Sequence, residues 1–432
     1  MASPLPASLL LTLAFALALA TGLIVKFWLA TRQIRHVARH RDAVPAAFAQ
    51  AITLAAHQKA ADYTIAKTRF GLLEMAWSAV VLLGWTLLGG LDLLNRLLLG
   101  ALGGGMWQQL ALLASFALIG GLLELPFTLW QTFRLEERFG FNKMTWRLWL
   151  ADSIKALLLG ASIGLPIAAL ILWLMGAAGR LWWLWAWGAW VGFNLLLMLV
   201  YPTFIAPIFN KFKPLDDATL KARVTALMQR CGFAAKGLFV MDGSTRSAHA
   251  NAYFTGFGAS KRVVFYDTLL RQLNAGEVEA VLAHELGHFK LKHIVKRIVV
   301  MFALSLAFLA LLGYLKQQLW FYTGLGVNPL LLPDLSNNDA MALILFMLAL
   351  PIFTFLLSPL SSISSRKHEF EADAFAAQHT DANDLVTALV KLYEDNASTL
   401  TPDPLHSAFY DSHPPASVRI NKLASKLSAA HG

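Results

Sequence analysis

The stretch NAGEVEAVLAHELGHFKLKHIVKRIVVMFALSLAFLALLGYL, residues 274–315, joins two kinds of sequence that seldom meet. Its first half has the spacing of a polar helix, opened by Asn274 with Glu277 three residues on, the signature of a capping box. Its second half, 298–315, carries no charge and is long enough to cross a bilayer, which takes roughly 17 to 25 apolar residues. The spacing predicts one helix that runs through 277–297 straight into this span. On the polar part sits His284-Glu285-Leu286-Gly287-His288, an HExxH pattern. Positions i and i+4 share a helix face, so both imidazoles reach one metal ion. Glu285 is one residue along, near enough to a water activated by that metal to take its proton. Two histidines and a glutamate beside a bilayer are costly unless they have such a role.

The rest of the chain has the same membrane character. Of 432 residues, 57% are hydrophobic and 14% charged, with a mean hydropathy of +0.55. Soluble domains carry about 25% charged residues, so a soluble globule and a disordered chain are both excluded. Six further apolar segments, at 7–28, 72–92, 103–130, 156–178, 181–209 and 340–362, bring the expected spans to seven. The first has no Lys or Arg before Lys26, so it reads as a retained anchor rather than a cleaved signal peptide. The single cysteine, Cys231, excludes an intrachain disulfide and any Cys-rich zinc module. The expected fold class is mainly α: a polytopic membrane protein of seven transmembrane helices with a small α+β cytoplasmic domain.

The net charge of +10 is accounted for by where the charges lie. Among 36 Lys and Arg, the loops after spans 2, 4 and 6 hold only Arg96, Arg180 and Lys316. The others cluster in or beside 26–70, 131–155, 210–297 and 366–432. Positive residues stay inside, which puts the N-terminus outside or lumenal and those stretches, with the C-terminus, in the cytoplasm. Bacterial inner membrane and endoplasmic reticulum or nuclear membrane both fit. The partners implied are membrane lipid and a peptide or protein substrate, with no nucleic acid. Trp182, Trp183, Trp185, Trp187 and Trp190 crowd the outer end of span 5, where headgroups favour such rings. Glu74 reads as interfacial or chamber-facing, and Glu124, deeper in span 3, as facing a polar interior cavity.

Four regions follow: 1–209 with helices 1–5 and their loops, 210–297 as the catalytic insert, 298–362 with helices 6 and 7, and 363–432 as a polar, largely helical C-terminal part. In the insert, 216–230 is helical, with Leu220, Val224, Leu227 and Met228 on one face. GLFVMD (237–242) and KRVVFYD (261–267) read as strands, with a third strand or edge in SAHANAYFTGFG (247–258).

A catalytic zinc needs a third protein ligand and one open position. An HExxHxxGxxH extension is absent, since Leu291 and Ile294 stand at the relevant positions and His293 falls on the wrong face. A carboxylate from SRKHEFEADAFA (365–376), after span 7 and on the same membrane side, fills the role. Glu369 is the better placed, because Asp373, one turn on, accepts the second ring N–H of a ligating histidine. From spacing alone Glu371 is its rival and His368 a weaker one.

At this point the sequence resembles the type 1 CAAX prenyl protease family, seven-span zinc metallopeptidases. The blocks that carry the resemblance are EERFGFNKMT (136–145), YPTFIAPIFNKFKPL (201–215), DGSTRSAHANAYFTGFG (242–258), KRVVFYDTLL (261–270), HELGHFKLKH (284–293), SRKHEFEADAFA (365–376) and SHPPASVRI (412–420). The resemblance implies one zinc ion per chain held by His284, His288 and Glu369, with Glu285 activating water and the helices enclosing a water-filled chamber. It implies hydrolysis near the C-terminus of CaaX-type, farnesylated substrates. His413 is then an oxyanion donor, Arg366 a partner of the nearby carboxylates, and Asn251, Ala252 and Tyr253 a strand to which substrate adds. Arg419 is assigned to substrate binding, although Ala416-Ser417-Val418 beside it departs from the family pattern. Two other readings stand beside this one. A membrane-protein quality-control zinc protease needs no prenyl group. A transporter explains seven spans but leaves HExxH and Glu369 without a purpose, and no internal repeat supports it.

Overall fold

The computed structural model describes residues 5–233, 237–255, 262–332 and 335–430. Helix α1 (Ala7–Arg39) leads into α2 (Leu54–Trp85), whose first turn is capped by Thr53, its hydroxyl accepting from the Ala56 N–H. The expected straight span at 72–92 is not one helix. It stops at Trp85, and the chain bends by 48° into α3 (Gly90–Leu102), a segment read from sequence as loop and span edge. Gly89 takes a φ of +79° in the bend, a conformation a side chain would strain. Asp92 then ties α3 to a loop distant in sequence, accepting from the Asn328 N–H at 2.9 Å.

Helix α4 (Met106–Trp130) contains Pro126 and continues as one π-helical stretch, Gln131–Glu136. A proline inside a helix removes one backbone hydrogen bond, a local cause for that loosened turn. Helices α5 (Trp146–Ala177), α6 (Trp182–Val200) and the short α7 (Ala206–Phe209) complete the first half. The tryptophans divide: Trp185 is exposed as a headgroup ring would be, whereas Trp182 is buried with the Lys316 ammonium over its ring.

The polar insert follows as β1 (Phe212–Pro214), α8 (Ala218–Arg230), β2 (Gly237–Met241), β3 (Ala252–Thr255), β4 (Arg262–Tyr266), α9 (Asp267–Gln272) and α10 (Ala275–Lys290). All four apolar residues expected on one face of α8 are buried. The sheet order is β1-β2-β4-β3, with β2 and β4 parallel and the other pairs antiparallel. β3 is therefore an edge strand, while Val263 and Phe265 of β4 are fully buried against α8 and α10. The capping box at Asn274 and Glu277 is present in both directions, at 2.9 and 2.8 Å.

The HExxH helix does not run into span 6 as expected. It ends at Lys290, Lys292 adopts a left-handed φ of +59°, and α11 (His293–Leu315) starts afresh. Helix α12 (Leu319–Gly324) follows, and α13 (Asp339–Thr354) returns through a 3-10 turn into α14 (Ser358–His379). Helices α15 (Ala382–Asp395), α16 (Pro404–Tyr410) and α17 (Ala416–Ala430) close the chain. Among the described residues six helices are long and apolar enough to cross a membrane, or seven if the bent α2–α3 pair is counted as one span. Their flanks expose large apolar side chains, Leu17 and Ile24 among them, which only a lipid environment makes inexpensive. The protein is multi-pass.

Candidate active site

Close approach of α10 and α14 creates the site. Gly287, inside HExxH, permits it: a Cβ there would lie 3.1 Å from both the Ala372 Cα and the Phe375 Cβ. His284, about one turn before this contact, and His288, the residue next to it, face Glu369. The His284 Nε2 is 3.4 Å from Glu369 Oε2, the His288 Nε2 is 3.3 Å from Glu369 Oε1, and the two imidazole nitrogens are 3.2 Å apart. The other nitrogen of His284, Nδ1, is 2.9 Å from Asp373 Oδ1. A proton placed there leaves Nε2 as a bare lone pair directed at the shared point.

The charge balance of this pocket favours a cation. Burial by itself would lower the His284 pKa, but the Asp373 and Glu369 carboxylates beside the ring outweigh it and push the value up to about 9. Glu369 Oε2 is buried with no hydrogen-bond partner. Two ring nitrogens and an orphaned carboxylate oxygen within 4.8 Å of one another form a donor set that suits a borderline-soft divalent ion. The residues present thus fit a metal. Glu285 is half-buried beside them, and no described side chain pairs with it, so its carboxylate is uncommitted.

His413 meets the site from the opposite side, with its Nε2 3.4 Å from Glu369 Oε1 and Ser412 Oγ 2.9 Å from its Nδ1. It also forms part of the wall of a cavity of about 1000 Å³ that reaches up between α1 and α2. Leu19, Leu23, Met75 and Ala79 line the cavity's apolar end, Lys67 and Asn396 its polar end. Glu74 lies on this wall. Glu124 is exposed on α4 and is not among the residues that line this cavity.

The structure gives partners for two of the expected residues. Arg366 was read as a partner of the site carboxylates, but its Nη1 donates to the carbonyls of Ser407 and Asp411, at 2.9 and 3.3 Å. It fastens the loop that carries His413. Arg419, assigned to substrate, is 5% exposed and forks onto Asp373, with Nε–Oδ2 at 2.8 Å and Nη2–Oδ1 at 2.5 Å. Its Nη1 is 3.8 Å from Glu369, so the guanidinium balances the buried carboxylates. Asn251, Ala252 and Tyr253 lie at or beside the β3 edge. The Asn251 side chain accepts from the Ala252 N–H, and Ala252 packs in the core, which leaves main chain as what this edge can offer. Glu371 points away from the shared point, to His293 Nε2 at 2.8 Å. That link escaped the sequence reading, because it depends on the chain break at Lys292.

Fold and site together define a membrane-embedded metallopeptidase, and comparison with known proteins narrows the class. Residues 33–211 match the family model described as CAAX prenyl protease N-terminal, five membrane helices, and residues 214–427 match that of peptidase family M48. The CAAX prenyl protease 1 homolog of Arabidopsis thaliana is 39% identical over 321 residues, 73% of each chain. That of Caenorhabditis elegans is 33% identical over 435 residues, covering 94% of this chain and 96% of the relative. The crystal structure of S. mikatae Ste24p superposes with a TM-score of 0.87 at 30% identity, over 98% of this chain and all of that one. The chain belongs to peptidase family M48, in the group with the CAAX prenyl protease type of membrane domain. It is a membrane metalloprotease, and its substrate is a peptide or protein.

Proposed function

We propose that the chain is a zinc endopeptidase that cuts prenylated CaaX-type proteins near their C-terminus, with His284, His288 and Glu369 as the zinc ligands. The observation that carries this reading is the convergence of two imidazole lone pairs and the unpartnered Glu369 oxygen, next to a chamber that is apolar at its far end. Zinc held there would polarise the scissile carbonyl and make water nucleophilic near neutral pH. Glu285 takes a proton from the attacking water and passes it to the departing amine as the C–N bond breaks. His413 donates from Nε2 to the carbonyl oxygen as negative charge builds on it, and the Ser412 hydroxyl on Nδ1 keeps the ring in that tautomer. Arg366 steadies the His413 loop, and Asp373, forked by Arg419, orients His284. The substrate lies along β3 as an added strand, main chain to main chain beside Asn251, Ala252 and Tyr253. A farnesyl chain is accommodated by the apolar wall of Leu19, Leu23 and Met75. The charge asymmetry sets the orientation, with the N-terminus outside or lumenal and the catalytic side cytoplasmic.

The test is mass-spectrometric cleavage of a farnesylated CaaX peptide and its unprenylated twin. Release of the last three residues from the farnesylated peptide, lost on chelation and restored by zinc, is the expected result. Glu285→Gln keeps zinc while turnover falls by about 10²–10⁴-fold. Equal cleavage of both peptides would remove the prenyl requirement, and an active Glu285→Gln would remove the base.

A further inference from the structure

On the outer side of His288, away from the shared metal point, stands a second group of titratable residues that the mechanism above does not use. His293 is 3% exposed and opens α11 just after the left-handed turn at Lys292. Its Nδ1 is 3.1 Å from the Nδ1 of His288, and its Nε2 is 2.8 Å from Glu371 Oε2. His368 stacks on the same ring, with centroids 4.0 Å apart and planes 11° from parallel.

With His293 neutral, hydrogen-bond chemistry allows one assignment along this row. A carboxylate only accepts, so the His293 proton is on Nε2, facing Glu371. Neutral His293 then presents a lone pair at Nδ1, and His288 must donate to it from its own Nδ1. That in turn leaves His288 Nε2 without a proton, directed at Glu369 and His284. We propose that Glu371 and His293 form a two-link positioning relay that selects the metal-binding tautomer of His288 and holds its ring, as Asp373 does in one link for His284. The proposal rests on His288 being a metal ligand. His293 and Glu371 are positioning residues, not catalytic ones, because they act through His288.

The same cluster also resembles a cation site, since donor atoms of His293, His368 and Glu371 lie within 4.8 Å of one another. Three observations favour the relay. Both nitrogens of His293 are already engaged. Parallel stacked rings direct their lone pairs side by side rather than at one point. Lys367 Nζ sits 3.9 Å from Glu371, which already supplies positive charge. Direct orienting partners of metal-bound histidines change metal affinity by about 10–100-fold when removed.

The experiment is chelator-competition titration of zinc on the full-length protein in detergent, with the zinc content per chain counted. Glu371 is partly solvent-exposed, so its substitution does not hollow the core. Glu371→Ala is expected to weaken zinc by 10-fold or more with the melting temperature of the metal-free protein unchanged. Glu371→Gln, whose amide oxygen still accepts from His293, loses less, and His368→Ala loses nothing. Wild-type affinity in Glu371→Ala, with affinity lost in His288→Ala, would overturn the relay and leave the ligand assignment standing. Unchanged affinity in His288→Ala would instead overturn the ligand assignment. Two zinc ions per wild-type chain, one of them lost in both Glu371→Ala and His368→Ala at constant affinity of the other, would replace the relay with a second cation site.

Discussion

Gly287→Ala separates the metal site from the stability of the fold. The added Cβ would stand 3.1 Å from the Ala372 Cα, 3.1 Å from the Phe375 Cβ and 3.3 Å from the Ala372 carbonyl oxygen. Carbon atoms rest about 3.5–4.0 Å apart, so α14 must withdraw from α10 by roughly 0.4–0.9 Å. Overpacking of this kind costs about 1–3 kcal/mol. Alanine returns about 1 kcal/mol over glycine inside a helix, so the net loss of stability is about 0–2 kcal/mol. Metal sites are less tolerant, because ligand distances hold to about ±0.2 Å. Glu369 rides on α14 one turn from the contact and moves with it, while His284 and His288 stay on α10. Zinc affinity should therefore fall by about 10-fold or more, the scale of a disturbed ligand shell. The assay is chelator-competition titration beside thermal unfolding of the metal-free protein. Wild-type zinc affinity in Gly287→Ala would refute the argument that this glycine sets the spacing of the ligands.

Three further substitutions probe other parts of the framework. Arg419→Leu leaves the buried Asp373 carboxylate without its guanidinium and should cost about 3–5 kcal/mol, read as a lower melting temperature. Asp403→Ala removes the cap on α16, where its carboxylate accepts from the Leu405 and His406 N–H groups at 3.1 and 3.0 Å, and breaks the 2.9 Å pair with Arg32. It should lose about 1–2 kcal/mol. Turnover should fall with zinc content unchanged, because α16 leads into the His413 loop. Lys316→Met strands the buried Asp339, its partner at 2.6 Å, and should cost about 3–5 kcal/mol. Adding Asp339→Leu should recover most of that loss in a thermal unfolding series.

Elements with strong local signals were legible in the chain itself. The face of α8 was read residue by residue, since a 3.6-residue period needs no distant partner to be recognised. The capping box at Asn274 and the span count likewise follow from nearby residues and from uncharged length. Less legible were features that depend on where the backbone leaves its regular path. Continuous apolar sequence hid the bend at Gly89, and helical spacing through 277–297 hid the break at Lys292. Arg366 and Arg419 were read by their charge, which says that a partner is needed but not which carboxylate or carbonyl will be near.

Composition, charge asymmetry and HExxH were enough to determine a multi-span membrane protein with a paired-histidine metal motif on a helix beside the bilayer. These properties are local: a helix face, a span and a charge count each depend on residues close together in sequence. Only the tertiary structure decided that Glu369 rather than Glu371 meets the two histidines, because that depends on how α14 packs at Gly287. It also decided that Arg419 is buried behind the site and that His293 turns back onto His288. His293 and Glu371, 78 positions apart, and Arg419 and Asp373, 46 apart, interact there at hydrogen-bond range, and no periodicity within one segment encodes the rotation of one helix against another.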